Sequence, residues 1–222
     1  QRRWPETWRL HWIAPLHKKG SHANPENYRG VHLTAVLSKV VERVVNRLLS
    51  PFVESTNAFG VSQWAFRPKS SCNDLVTLLT CYWVLAFQNR QKVGVFLSDI
   101  AAAFDRVDRE LLLRKLAKTG LNGALLAFLA DYLLPRSAQV VVNGAASDKL
   151  TLSDMVFQGT VLGPSLWNVF FADVHMAAEA TGGRETKFAD DLNVFKTFPA
   201  LTTNDEVRED LKECQASVHK WG

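Results

Sequence analysis

The sequence is poor in cysteine and has neither a long apolar run nor a low-complexity tract. Its three cysteines form no C-x-x-C pair and are too few for a zinc site without well-placed histidines, so small buried side chains are expected. No apolar stretch approaches the roughly 18 residues that a membrane-spanning helix needs, and the first residues lack the apolar core of a signal peptide. These absences favour a soluble, intracellular globular protein with no membrane partner.

The charged residues are unevenly distributed along the 222 residues, whose formal net charge is +4. Residues 1–92 contain 13 Lys and Arg against 5 Asp and Glu, which gives +8. Residues 93–222 contain 13 against 17, which gives −4. A basic half suits a polyanionic partner, whereas the acidic half gathers carboxylates for another purpose. Chance scatter of solvated charges is the alternative interpretation.

Apolar residues recur at helical spacing in several segments. Ser71 with Asp74 and Thr203 with Glu206 have the spacing of capping boxes, so we expect a helix to begin at each pair. Pro164 is typical of the first turn of a helix. The predicted helices cover residues 35–50, the segment from Ser71 through Trp83, residues 108–118, 124–134 and 164–174, and the segment after Thr203.

Short β-prone runs predict the strands. Residues 93–97 resemble a buried strand that carries Asp99 just beyond its end. A loose hairpin is predicted around the turn formers Asn143 and Gly144, and a second hairpin carries Asp190 and Asp191 at its turn. Strands and helices are mixed but do not strictly alternate, which predicts an α+β fold with helices packed on one face of a sheet. The hairpin strands are expected at residues 139–142, 149–152, 186–188 and 192–195.

Asp99 and the Asp190-Asp191 pair are far apart in sequence but would meet if their strands were neighbours in one sheet. Carboxylates about 4 Å apart repel by about 4 kcal/mol at an effective dielectric constant near 20, so such a cluster must bind protons or cations. Oxygen ligands of this kind suit Mg²⁺, and two ions roughly 3.5–4 Å apart activate an attacking oxygen and stabilise a leaving one. A solvated turn and a helix cap are the alternative interpretation of the same residues.

Five short blocks occur in one order along nearly the whole chain. They are Asn27-Tyr28-Arg29-Gly30, Gln63 with Phe66-Arg67-Pro68, Asp99 through Phe104-Asp105, Gln158-Gly159-Thr160-Val161-Leu162-Gly163-Pro164, and Phe188-Ala189-Asp190-Asp191. In this order they resemble the blocks of the reverse transcriptase family, in particular the polymerases of non-LTR (LINE-type, jockey-like) retrotransposons. A given four-residue string arises by chance in roughly one in several hundred chains of this length, and three motifs in order are far rarer. Group II intron maturases and telomerase-like proteins are alternatives that the residues 162–164 and 188–189 disfavour.

The resemblance implies the fingers and palm of a right-hand polymerase, with an antiparallel palm sheet backed by helices. Residues 1–92 are expected to be rich in fingers elements, and residues 93–107 to form the palm segment of the first catalytic motif. Residues 108–155 would be connecting helices and a hairpin, and residues 156–222 the palm segment of the second and third motifs. The thumb and endonuclease regions of the family are expected to lie outside this sequence.

In the family, residues at the positions of Asp99 and Asp190 bind the catalytic metal ions directly. The backbone carbonyl of Ile100 helps, and Asp191 completes the acidic cluster. The implied cofactor is a pair of Mg²⁺ ions, with Mn²⁺ as a substitute. The implied reaction is the attack of a primer 3′-hydroxyl on the α-phosphate of a nucleoside triphosphate, with release of pyrophosphate, and it depends on positioning and charge neutralisation.

The resemblance also implies a nucleotide-binding set. Phe104, next to Ala103, matches a steric gate that leaves no room for a 2′-hydroxyl and so selects deoxynucleotides. Gln158 and Gly159 match the pair that lies against the incoming nucleotide, where glycine lets the backbone come close. An ordinary core phenylalanine and a turn before a helix are the alternatives from spacing alone.

Basic residues in the N-terminal third complete the implied contacts. Arg29 matches an arginine that contacts the triphosphate, and Lys18 or Lys19 matches a lysine just upstream. A lysine pair in a glycine-containing loop is also typical of a solvated surface. Arg67 and Lys69 are expected to touch the template or its backbone.

The sequence therefore predicts an RNA-directed DNA polymerase that takes an RNA template, a DNA primer and deoxynucleoside triphosphates. A nuclear location is expected for target-primed retrotransposition, with the cytoplasm as the alternative. The competing hypothesis is a truncated or domesticated remnant of the same fold that binds nucleic acid without catalysis. The intact aspartates argue against long decay.

Overall fold

The computed structural model describes residues 3–100, 102–153 and 155–221, and it confirms the predicted α+β class. Within these ranges no helix has the length and apolar character needed to cross a membrane. In chain order the elements are β1 Leu10–His17, β2 Tyr28–Leu33, α1 Val36–Ser55, α2 Cys72–Gln88, β3 Gln91–Asp99, α3 Arg109–Lys118, α4 Gly123–Tyr132, β4 Arg136–Val142, β5 Ala145–Ala146, β6 Leu150–Leu152, α5 Gly163–Phe171, α6 His175–Glu179, β7 Arg184–Phe188, β8 Asp191–Pro199 and α7 Asn204–Trp221.

The chain divides into two compact units, each made of two segments. The first unit comprises Gln1–Thr56 and Ala102–Phe170, and the second comprises Asn57–Ala101 and Phe171–Gly222. These boundaries differ from those of the four segments expected from the sequence, because the chain passes between the units three times. The assignment of fingers and palm to particular segments stays a prediction.

The first unit contains a sheet of strand order β2-β1-β4-β5, with β6 also paired to β4. Strand β1 runs antiparallel to β2 and parallel to β4. Neither β1 nor β2 was predicted, because the usual alternation is inverted there: His11 is fully buried while Trp12 is 54% exposed. The hairpin around Asn143 and Gly144 is confirmed, and both turn residues have positive φ.

Helix α1 confirms the predicted helix but not the buried face that its apolar spacing suggests. Its fully buried or nearly buried side chains are Ser38, Glu42, Leu49 and Val53. A row of apolar side chains is exposed instead, formed by Val36, Leu37, Val40, Val44 and Leu48. The helix is rotated relative to the expectation because Glu42 turns inward to hydrogen-bond a loop of the same unit.

The second unit contains an antiparallel sheet of strand order β3-β8-β7, with α2 and α7 packed against β3. Gly94 lies under α7, and a Cβ at this position would lie 2.8 Å from a methyl group of Val207. The two predicted capping boxes are confirmed, since Ser71 Oγ accepts from Asp74 N and Thr203 Oγ1 accepts from Glu206 N. This unit therefore presents one end of β3 and β8 beside the β7–β8 turn.

One predicted helix is shorter than expected. The helix that begins near Pro164 ends at Phe171, and residues Ala172–Val174 form a single 3₁₀ turn before α6. The apolar residues continue past the helix end, so periodicity alone extends the helix too far. Strand β3 is longer than the predicted strand and reaches Asp99 itself.

Candidate active site

The three candidate metal-binding aspartates lie at one end of the β3-β8-β7 sheet. Asp99, the last residue of β3, is the direct antiparallel partner of Asp191, the first residue of β8. Asp190 occupies the turn that joins β7 to β8. Asp99 and Asp191 are 92 residues apart in sequence, but their strands are neighbours in the sheet. This pairing is what a shared metal site at these carboxylates would need.

The pKa of Asp191 is raised above its ordinary value, first by partial burial and then by the negative charges of Asp190 and Asp99. The cluster therefore carries a repulsion that a bound cation would relieve. Within the described ranges, no three His, Cys, Asp or Glu side chains already converge in the arrangement of a metal site. The donor set, carboxylate oxygens alone, nevertheless fits a hard divalent cation whose remaining positions are filled by water and phosphate oxygens.

A groove of about 400 Å³ runs beside this end of the sheet. Asp99 and Asp191 form part of its lining, and apolar side chains of α2 and β3 form the rest of one wall. Leu97, which points into this groove, is 69% exposed. Asp99 and Asp191 are both exposed, so their carboxylates are accessible from this groove.

The turn before the acidic pair has an unusual backbone. Ala189 has φ +59°, in the left-handed region that costs an L-residue with a Cβ roughly 1 kcal/mol. A non-glycine residue keeps this conformation only when its surroundings determine it. The direction in which Asp190 leaves the turn therefore depends on what holds Ala189.

In the first unit, the candidate phosphate-binding residues occur together at one end of the β1–β2 hairpin. Arg29 in β2 pairs with Leu16 in β1, and the backbone N–H of Lys18 donates to Asn27 O at 2.7 Å. Arg29, Lys18 and Lys19 are all exposed. The hairpin thus brings together the three basic residues that the sequence analysis proposed as contacts of the triphosphate.

The loop that contains Gln158 and Gly159 is held by backbone contacts within the same unit. Gly159 has φ +76°, and a Cβ there would lie 2.8 Å from the carbonyl oxygen of His32. Only glycine fits this position. Glu42 Oε2 accepts hydrogen bonds from Val161 N at 2.5 Å and Leu162 N at 3.2 Å.

Sequence reasoning missed Glu42, whose side chain is fully buried. Burial raises its pKa, while the two N–H groups of the loop favour the ionised form. The sequence shows Glu42 only as a charged residue among those between the apolar positions of α1, and in the structure this face of the helix is buried. Glu42 therefore belongs to the support of the candidate nucleotide-binding loop.

Phe104 is half-buried and lies in a 3₁₀ turn, Ala103–Arg106, with buried Ala103 beside it. Its ring stacks on Trp167 with centroids 5.6 Å apart, and its carbonyl accepts from Val156 N at 2.9 Å. The ring is thereby fixed in position, as a steric gate requires. The gate itself stays a prediction.

A buried polar network lies behind the Gln158–Gly159 loop. Arg136 NH1 donates to His11 Nε2 at 2.8 Å, and since a guanidinium cannot accept, the proton of His11 is on Nδ1. His11 Nδ1 then donates to His32 Nδ1 at 3.2 Å. The guanidinium also lies 3.9 Å from the ring centroid of Phe157, the residue just before Gln158. Arg136 therefore supports the loop through Phe157.

The buried histidine predicts how stability depends on pH. Burial first, then the charges of Arg136 and His32, lower the pKa of His11 from 6.5 to about 3. Below pH 6.5 His11 becomes protonated in the unfolded chain but stays neutral in the folded chain. The free energy of unfolding is therefore expected to fall as the pH drops from about 6.5, by up to about 1.4 kcal/mol per pH unit for this group.

Urea unfolding between pH 7 and pH 5 measures this slope before most carboxylates titrate. His11→Gln is expected to reduce this slope to the part that comes from His32, whose pKa is also lowered by burial. His219→Gln on the exposed side of α7 is the matched control. An unchanged slope in His11→Gln would contradict the assignment.

Arg67 and Lys69 occupy a loop of the second unit. Arg67 NH1 donates to Gly60 O at 2.8 Å and to Gln63 O at 3.3 Å, so its guanidinium helps to hold its own loop. Lys69 is exposed, with φ +59°. A contact of either residue with a template stays a prediction.

Comparison with known proteins identifies the class. A family model described as reverse transcriptase (RNA-dependent DNA polymerase) matches residues 16–222. The chain therefore belongs to the reverse transcriptase family. Solved structures have the same fold: a telomerase from Candida albicans, in complex with a fragment of telomeric RNA, matches with a TM-score of 0.64 over 97% of this chain and 41% of that one. At 12% identity this likeness shows the fold alone, and it confirms the predicted fingers-and-palm class.

The similar proteins of known sequence are encoded by retrotransposons. A probable RNA-directed DNA polymerase from transposon BS of Drosophila melanogaster is 31% identical over 224 residues, and the polymerase from the mobile element jockey of the same species is 31% identical over 226 residues. Each match covers 98% of this chain and 24% of the relative. The chain is thus a non-LTR, LINE-type reverse transcriptase domain that spans about a quarter of the length of these relatives.

Proposed function

We propose that this chain is the catalytic region of an RNA-directed DNA polymerase that adds deoxynucleotides to a primer 3′-hydroxyl. The observation that carries the proposal is the pairing of Asp99 with Asp191 at one end of the sheet, beside the turn that holds Asp190. A cluster of this kind, open to a groove, suits the charge neutralisation that nucleotidyl transfer needs.

Asp99 and Asp190 are proposed to bind two divalent ions, Mg²⁺ with Mn²⁺ as a substitute, with help from the carbonyl of Ile100 and from Asp191. When bound, such ions activate the primer hydroxyl and stabilise the leaving pyrophosphate. The chain's own contribution is the pair of strand ends that hold the carboxylates before substrate arrives. Reverse transcriptases as a family generally use divalent metals, and the oxygen-only donor set fits them.

The first unit is proposed to bind the incoming nucleotide. The exposed basic end of the β1–β2 hairpin, with Arg29, Lys18 and Lys19, would contact the triphosphate. Gln158 and Gly159 would lie against the nucleotide, where the glycine allows a close backbone approach. The fixed ring of Phe104, next to Ala103, would exclude a 2′-hydroxyl and select deoxynucleotides.

An RNA template and a DNA primer are the proposed partners, because the relatives are described as RNA-directed DNA polymerases. Arg67 and Lys69 would then lie near the template backbone. Because the relatives are about four times as long as this chain, we propose that thumb and endonuclease regions cooperate with it in a complete protein. A nuclear site of action is the proposal that goes with retrotransposition.

Primer extension tests the proposed activity. The protein from the complete open reading frame is incubated with a DNA primer on an RNA template, deoxynucleotides and Mg²⁺. We expect extension that stops when the metal is chelated and resumes when Mg²⁺ is restored, because the carboxylates alone cannot neutralise the developing charge.

Absence of extension, together with retained salt-dependent RNA binding, would contradict the catalytic proposal and favour a non-catalytic nucleic-acid-binding remnant. Ribonucleotides replace deoxynucleotides in a parallel reaction. Equal use of both would contradict the role of Phe104.

A further inference from the structure

A short segment of the second unit lies along the free edge of β7. Lys187 N donates to Ser62 O at 2.8 Å, and Trp64 N donates to Lys187 O at 2.9 Å, so Gln63 forms a parallel bridge with Lys187. The Lys187 side chain is fully buried and forms an ion pair with Glu185 at 3.3 Å. This segment therefore has a fixed register on the strand that leads into the acidic turn.

The side chain of Gln63 is directed along this edge toward the turn. It is 2% exposed, and its Oε1 accepts hydrogen bonds from Ala189 N at 3.1 Å and from Ala65 N at 3.0 Å. Its Nε2 donates to Ala189 O at 3.1 Å. Both backbone polar groups of Ala189 are thus bound by one amide. The orientation of that amide is determined, because an N–H must meet oxygen and a carbonyl must meet the amino group.

Ala189 is the residue with positive φ that precedes Asp190. Removal of the amide takes away hydrogen bonds to both backbone polar groups of Ala189. This favours relaxation toward the commoner conformations of a residue with a Cβ, which would redirect the next side chain. The distance between the strands does not depend on Gln63, because the β3–β8 register extends over nine residue pairs from Gln91–Pro199 to Asp99–Asp191. Gln63 therefore acts on the turn and leaves Asp99 and Asp191 in place.

We propose that Gln63 is a positioning residue for the metal-binding carboxylates: its amide holds Ala189 in the left-handed conformation that aims Asp190 at the cluster. This inference rests on the proposed function, since it assigns Gln63 to the same site. Gln63 belongs to a sequence block that resembles the family, but that resemblance assigns no role to this glutamine. Its function follows from the three hydrogen bonds of its buried amide.

The test removes the amide and keeps the volume. In the protein from the complete open reading frame, Gln63→Met is compared with wild type for Mn²⁺ affinity by electron paramagnetic resonance, and for the Mg²⁺ concentration that gives half-maximal extension. We expect Mn²⁺ affinity and kcat each to fall about 10–100-fold, as when other groups that orient metal ligands are removed. The KM for deoxynucleotide should not change, because the nucleotide contacts are elsewhere.

The matched control is Gln139→Met, which removes an amide that donates to Ser147 O in the sheet of the first unit. It should bind Mn²⁺ as wild type does. Wild-type Mn²⁺ affinity and Mg²⁺ dependence in Gln63→Met would overturn the inference. Failure of the wild-type protein to extend a primer would instead overturn the proposed function, so the two failures are distinguishable.

A second variant covers the case in which Gln63→Met does not fold. Gln63→Glu keeps the acceptor for Ala189 N and Ala65 N but loses the donor to Ala189 O. We expect folded protein, shown by circular dichroism, with a smaller decrease in kcat in the same direction. Wild-type extension by Gln63→Glu would count against the proposal.

Discussion

Asp190→Asn is expected to reduce primer extension by about 10²–10³-fold, comparable with the loss of a principal electrostatic contact in other active sites. The amide keeps the shape of the side chain but removes the charge that a divalent cation requires. The structure gives a specific reason to expect a large effect, since Asp190 lies at the turn beside the Asp99–Asp191 pair. Single-turnover extension with the protein from the complete open reading frame measures the loss.

Folding should be unaffected by this change. Asp190 contributes repulsion that raises the pKa of Asp191, so its neutralisation leaves the folded state no less stable. Asp148→Asn, in the exposed loop between β5 and β6, is the matched control and should extend primers normally. Extension by Asp190→Asn at the wild-type rate would remove the acidic cluster from the mechanism.

Arg136→Met is expected to lower the free energy of unfolding by about 3–5 kcal/mol, the cost of leaving a buried charge without its partner. Arg136 is 2% exposed, and burial lowers its pKa while the charge of nearby Glu42 opposes this. It also donates to Tyr132 O at 3.0 Å and to His11. Urea unfolding of the complete protein, with hydrogen exchange at residues 157–162 as the local probe, measures the loss.

A double-mutant cycle separates charge coupling from packing. Glu42→Gln with Arg136→Met should cost less than the sum of the single changes, because both buried charges are removed together. Arg114→Met on the exposed face of α3 is the matched control. Strict additivity would mean that Glu42 and Arg136 do not stabilise each other through charge.

Much of the second unit was readable from local chemistry. The capping boxes at Ser71 and Thr203 set the starts of α2 and α7 through contacts over three residues. The acidic pair between two β-prone runs predicted the β7–β8 hairpin. Such features depend on neighbours in sequence, so the sequence by itself determined them, along with the family.

Other features depended on partners distant in sequence. The strands β1 and β2 were not predicted, because the polar side chain of His11 is buried with a hydrogen bond from Arg136, which is 125 residues away. The buried face of α1 was unexpected because Glu42 bonds a loop 119 residues further on. Gln63 meets Ala189 across 126 residues. A periodicity rule treats polar side chains as solvated, and it fails where a distant donor or acceptor replaces water.

The sequence alone therefore determined the fold class, the reverse transcriptase family and the choice of the three aspartates as candidate metal ligands, because these follow from local patterns and from the order of the motifs. The tertiary structure decided which strands are neighbours, which face of α1 is buried and which amide holds the acidic turn. Each of these is a hydrogen bond or a register between segments far apart in the chain, and no local pattern encodes it.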